Sequence, residues 1–146
     1  MFQQIHNTVT RFLTQPALAN VLFPVARLSI AFIFVMAGFN KLGAGYEGTA
    51  QYMVSMGVPG ALLPLTIVLE LGGGLALLVG WQTRLAATLL AGFSLATGII
   101  FHGGSTDSIQ QIMLMKNIGM AGGLLLLALT GAGRLSLDRK LYRDGV

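Results

Sequence analysis

Three ionisable side chains, Arg27, Glu70 and Lys116, stand inside long apolar runs, and Lys41 and His102 lie at the ends of two of those runs. A charged group at the centre of a membrane helix costs about 2.5–3.5 kcal/mol on insertion scales, so each needs a partner or a wet cavity. Arg27 and Glu70 are expected to pair across the first two runs, and such a pair reads equally well as a structural pin. Lys116 could meet a ligand or extend its stem to the outer surface. His102 is either a proton-exchanging group or an ordinary interfacial residue. Arg27 and Lys116 against Glu70 leave one cation uncompensated, which calls for a deprotonated lysine, solvating water or an electron-rich ligand such as a quinone carbonyl pair or a small oxyanion.

The residue inventory removes much other chemistry. Without cysteine there are no disulfides, thiolate metal sites, iron–sulfur clusters or thiol mechanisms. The two histidines, His6 and His102, fall on opposite sides of the expected membrane, which excludes bis-histidine haem within one chain. No carboxylate and histidine cluster suits a metal. The run Gly72-Gly73-Gly74 is not a phosphate loop, because no strand precedes it. Met53, Met56, Met113, Met115 and Met120 read as packing rather than as ligands.

The elements that must position these groups are membrane helices. Of 146 residues, 54% are hydrophobic and only 10% charged, with mean hydropathy +0.75, too few charges for a water-facing surface. Apolar runs from about 18 to 39, 61 to 80, 85 to 101 and 112 to 130 each match the ~30 Å hydrocarbon thickness. They lack the dyad alternation of outer-membrane strands, so the fold class is all-α, an integral-membrane four-helix bundle. Residues 1–16 form an amphipathic interfacial segment, with Phe2, Ile5, Val9, Phe12 and Leu13 at helical spacing; residues 17–131 form the bundle and residues 132–146 a basic tail. A second short interfacial helix is expected over Thr49 to Met56, and the first apolar run does not read as a cleaved signal. Four spans put Arg11, Arg84, Arg134, Arg139, Lys140 and Arg143 on one side and only Lys41 on the other, which predicts both termini in the cytoplasm of an inner membrane. The net charge of +4 follows this topology and does not indicate nucleic-acid binding.

Helical spacing also assigns faces. Arg27 shares its stripe with Ala31, Phe34, Gly38 and Lys41; Glu70 with Thr66, Gly73, Gly74 and Leu77; His102 with Ala87, Ala91, Ser94 and Gly98; Lys116 with Gly119, Met120 and Gly123. Small residues mark close helix approach, so all four polar residues are expected on packed faces around one interior. The glycine-rich faces of the second and fourth runs leave surface for a homo-oligomer. An inverted-repeat transporter would need more than one such chain.

Ordered motifs across about Val25 to Arg139 resemble the DoxX family of small four-helix bacterial membrane proteins, and its YqjF-type inner-membrane branch in particular. They include Arg27-Leu28, Ala37-Gly38-Phe39-Asn40-Lys41-Leu42, Gly48-Thr49-Ala50-Gln51-Tyr52-Met53, Leu69-Glu70-Leu71-Gly72-Gly73-Gly74, Ile100-Phe101-His102 and Met115-Lys116-Asn117. The family name comes from a small subunit of an archaeal thiosulfate:quinone oxidoreductase. The resemblance therefore implies a quinone-interacting or small-anion-binding subunit of a membrane redox system of the thiosulfate or sulfur-stress type. Arg27, Lys41, Glu70, His102, Lys116 and Asn117 are the substrate-binding candidates, with no metal. With no intrinsic cofactor motif, any oxidoreductase activity needs a bound quinone or a redox partner subunit. The alternative is a non-catalytic scaffold, surrounded by membrane lipids, whose polar cluster is purely structural.

Overall fold

The computed structural model describes residues 1–142. Four long apolar helices dominate: α2 (Pro16–Asn40), α4 (Leu63–Val79, extended backwards by a 3-10 turn at Gly60–Leu62), α5 (Thr83–His102) and α6 (Ser108–Thr130). Three shorter helices accompany them, α1 (Phe2–Leu13), α3 (Gly45–Ser55) and α7 (Leu137–Leu141). Each long helix is long and apolar enough to span a bilayer, so the all-α membrane bundle expected from composition is the fold. Arg143, counted with the basic tail, lies outside the described residues.

Helix ends follow local chemistry. Pro16 opens α2 in the first turn, where its missing N–H costs nothing. Asp107 caps α6 by accepting from the Gln110 amide, and Ser136 caps α7 by accepting from the Arg139 amide. Between α4 and α5 the chain turns within Gly80, Trp81 and Gln82. Gly80 adopts φ +69°, and a Cβ there would run into Arg27 Nη1 and Ser136 Cβ, so both conformation and space demand glycine. This short turn makes α4 and α5 antiparallel neighbours; α5 packs most extensively on α6, and α2 on α4.

The core follows the expected stripes in three helices. Arg27, Ala31, Phe34 and Gly38 are buried on α2; Glu70, Gly74 and Leu77 on α4; Ala87, Ala91, Ser94 and Gly98 on α5. In α6 the stripe is displaced by one residue. Asn117, Ala121, Leu124 and Leu127 face inward, whereas Lys116 is exposed. One residue is about 100° of helix rotation, enough to move Lys116 from the packed face to its edge. A Cβ at Gly98 would come within 2.8 Å of Asn117 Cβ, so Asn117 packs directly on Gly98 of α5.

Every residue of α1 is exposed, including its apolar side chains Phe2, Ile5, Val9, Phe12 and Leu13. α3 behaves differently. Its Met53 is buried with Leu63 and Ile67, and its Tyr52 stacks on Phe101 with ring centroids 5.5 Å apart. The second short helix is therefore a roof attached to the bundle, held by apolar contact with α4 and α5.

Candidate functional site

The register between α2 and α4 decides which charges meet. Gly38 packs against Leu71, and Gly74 against Phe34 and Val35, so the two helices run antiparallel with Glu70 level with the end of α2. Lys41, the residue that ends α2, reaches across: its Nζ donates to Glu70 Oε1 at 2.9 Å and lies 2.8 Å from Oε2, the latter contact electrostatic and outside hydrogen-bonding geometry. Lys41 Nζ also donates to the Ala37 carbonyl at 3.2 Å. The Glu70 side chain is 7% exposed and that of Lys41 22%, so the carboxylate is the more deeply held partner.

Arg27 does not pair with Glu70, contrary to the expectation from depth. It faces the turn at Gly80, and its guanidinium donates from Nη1 to the Ala132 carbonyl at 2.7 Å and from Nη2 to the Leu135 carbonyl at 2.9 Å. The cause is the overhang of α2: its first turns run on past the end of α4 and pack Phe23 against Gly133, beyond α6. Depth counted from the centre of each apolar run cannot see that offset. Arg27 is thus buried at the opposite end of the bundle, tying down the segment that follows α6. Residues 132–142 are folded onto the bundle there, with Asp138 accepting from the Gln82 and Thr83 amides at 2.7 and 2.9 Å.

The other five candidates converge. Lys41, Glu70, His102, Lys116 and Asn117 line one cavity of about 260 Å³ beneath α3. Asn117 Nδ2 donates to the Met113 carbonyl one turn back, and Lys116 Nζ has only the Met113 sulfur at 3.4 Å, a weak acceptor that leaves its charge available. No carboxylate lies within ion-pair distance of Lys116 among the described residues. His102 Nδ1 contacts Gln110 Oε1, while Nε2 has no hydrogen-bond partner among the described residues. Lys41 is neutralised by Glu70, so Lys116 gives the cavity one net positive charge.

Sequence reasoning missed part of the wall. Ser94 lies on the face of α5 that its spacing predicts, but it does more than pack: it is 1% exposed, lines the cavity, and its Oγ has no hydrogen-bond partner. Thr49, Tyr52 and Met53 of α3 also line it, because α3 folds over the bundle rather than lying apart from it. Phe34, Phe93 and Phe101 supply aromatic walls. The signal for Ser94 was its hydroxyl in a stripe of alanine and glycine, a costly group to bury without a purpose.

The fold and site define a four-span membrane protein that keeps one buried ion pair beside a small polar cavity. The DoxX sequence profile matches residues 22–103, and the chain belongs to the DoxX family. It is 50% identical over 119 residues to inner membrane protein YqjF of Escherichia coli, covering 82% of this chain and 91% of that one. Inner membrane protein YphA of the same organism is 37% identical over 127 residues, covering 82% and 90%. A Bacillus subtilis protein named "Putative oxidoreductase CatD" is 30% identical over 124 residues, covering 80% and 84%. No solved structure matches. Together with the four apolar helices, these relatives make the chain a multi-pass inner-membrane protein.

Proposed function

We propose that the chain is a membrane subunit of a redox system and that the cavity beneath α3 binds an electron-rich acceptor, a quinone headgroup or a small oxyanion. The observation that carries this reading is an uncompensated Lys116 and an unpartnered Ser94 hydroxyl facing the same 260 Å³ cavity. Pockets for drug-sized ligands run about 300–1,000 Å³, so this one suits a single ring or a tetrahedral anion. Donors exceed acceptors around it: Lys116 and Ser94 can donate to ligand oxygens, and negative charge developing there on reduction is stabilised by the cation. The three phenylalanine walls favour the flat quinone ring over an oxyanion. His102 Nε2 supplies a group able to take or give a proton at the outer end of the bundle.

An oxidoreductase-named relative agrees with this role. With no thiol in the chain, electrons would come from a partner subunit or pass between bound quinone and a second protein. Both termini are assigned to the cytoplasm on the lysine and arginine count. The test is binding of a short-chain ubiquinone, and separately of thiosulfate, to purified protein, compared with Lys116→Met and His102→Ala. The reading expects one of the two ligands to bind wild type and to bind Lys116→Met at least about tenfold more weakly, a loss of about 1.4 kcal/mol. Absent binding, or equal binding in all three proteins, removes it and leaves a scaffold.

A further inference from the structure

A second, larger cavity of about 680 Å³ opens at the opposite end of the bundle, between the start of α2, the start of α5 and the segment after α6. It is independent of the quinone reading, since it shares no lining residue with the cavity beneath α3. Three arginines, Arg84, Arg134 and Arg139, line it against one carboxylate, Asp138. That carboxylate is already committed: both of its oxygens accept backbone amides at the start of α5. Arg84 is partly engaged, donating from Nη1 to the Ala128 and Leu129 carbonyls at the end of α6. The side chains of Arg134 and Arg139 make no hydrogen bond to the described residues and are exposed. The cavity therefore carries a surplus of guanidinium charge.

One buried polar group of its wall has no partner among the described residues. Thr83 is fully buried and lines the cavity, and its Oγ1 has no hydrogen-bond partner. Next to it Gln82 also lines the cavity, its left-handed backbone at φ +47° held by its amide bond to Asp138 and its side-chain bond to Tyr142. On the α2 side the wall is an apolar strip of Pro16, Ala19 and Phe23, interrupted by Asn20 and running along α2 toward the hydrocarbon, while Thr130, Ser136 and Tyr142 add polar groups elsewhere. α1 precedes this wall directly, with its apolar face exposed.

We infer that this cavity is a binding site for an anionic phospholipid of the bilayer. Guanidinium groups engage phosphate oxygens bidentately, and basic pockets between membrane helices at the cytoplasmic level collect acidic headgroups. A soluble anion would use the arginines but leave the Pro16, Ala19 and Phe23 wall bare, whereas an acyl chain covers it. The site lies where spans begin and end, at headgroup level, and α1 in the interfacial plane keeps lipid next to it. Bound lipid would bridge α2, α5 and the post-α6 segment, all of which contribute to the wall.

The experiment is thermal unfolding of delipidated protein in detergent with added phosphatidylglycerol, phosphatidylcholine or inorganic phosphate, for wild type and for the double variant Arg134→Gln with Arg139→Gln. Phosphatidylglycerol is expected to raise the midpoint of wild type, and the other two additives to leave it unchanged. The double variant, which breaks no described hydrogen bond of those side chains, should keep its lipid-free midpoint and bind phosphatidylglycerol about thirtyfold more weakly. Equal effects of the two lipids, an undiminished response in the double variant, or inorganic phosphate matching phosphatidylglycerol would each overturn the assignment. If the double variant fails to fold, the wild-type comparison of the three additives decides alone.

Discussion

Lys41→Met should be more damaging than Glu70→Gln, and the two together less damaging than Lys41→Met alone. Removing Lys41 strands a carboxylate whose side chain is 7% exposed. Breaking a buried pair this way costs 3–5 kcal/mol, and since Lys41 itself is 22% exposed the lower end, about 3 kcal/mol, applies. Glu70→Gln instead strands an ammonium that can reach water and still donates to the Ala37 carbonyl, so its cost is about 1–2 kcal/mol. The double variant has no buried charge left at this position and should recover about half of the Lys41→Met loss. For a chain of this size each kcal/mol moves the unfolding midpoint by roughly 2–4 °C, so Lys41→Met should melt about 6–12 °C below wild type in detergent. The control cycle combines Arg27→Met with Glu70→Gln, whose effects should simply add, because the two residues share no contact. Rescue of Glu70→Gln by Arg27→Met, with no coupling between positions 41 and 70, would refute the register on which the site is built.

Arg27→Met removes both donors to the Ala132 and Leu135 carbonyls, and should speed tryptic cleavage at Arg134 and Arg139 several-fold in intact membranes; an unchanged cleavage rate would mean that the segment is held by other contacts. Asp138→Ala deprives the Gln82 and Thr83 amides of their acceptor at the start of α5, at a cost of about 1–2 kcal/mol, measurable as a lowered midpoint. Topology reporters fused after Val146 and inserted between Gly103 and Gln111 should read cytoplasmic and periplasmic respectively, and the reverse pattern would invert the assignment of both cavities to their sides of the membrane.

How far the sequence carried differs between levels of structure. Span boundaries were legible because hydrophobic length is a one-dimensional property, and the apolar run from about 18 to 39 became a helix from Pro16 to Asn40. Faces were legible where small residues repeat at spacings of three and four, as in Ala87, Ala91, Ser94 and Gly98. In α6 glycines surround the charged residue on more than one side, so spacing favours a stripe through Lys116 where Asn117 holds the packed position; Gly119 and Gly122 face open space. Register was not legible. Periodicity fixes rotation about each helix axis but not the slide of one helix along another, and that slide, set by Gly38 against Leu71, moved Glu70 from Arg27 to Lys41. The roof is half legible: the sequence pattern puts Tyr52 and Met53 on a short helix, yet only folding α3 over α4 and α5 makes them cavity residues.

The central claim is that the cavity beneath α3 receives a ligand. The absence of cysteine permits its most direct test, a single thiol introduced as Thr97→Cys, a half-buried position on the cavity wall. The rate of its modification by a small methanethiosulfonate reagent is measured in native membranes, with and without short-chain ubiquinone or thiosulfate. The account predicts modification that one of these ligands slows at least about tenfold, with the slowing lost when Lys116→Met is added. A thiol that never reacts, or one whose rate neither ligand changes, would contradict it.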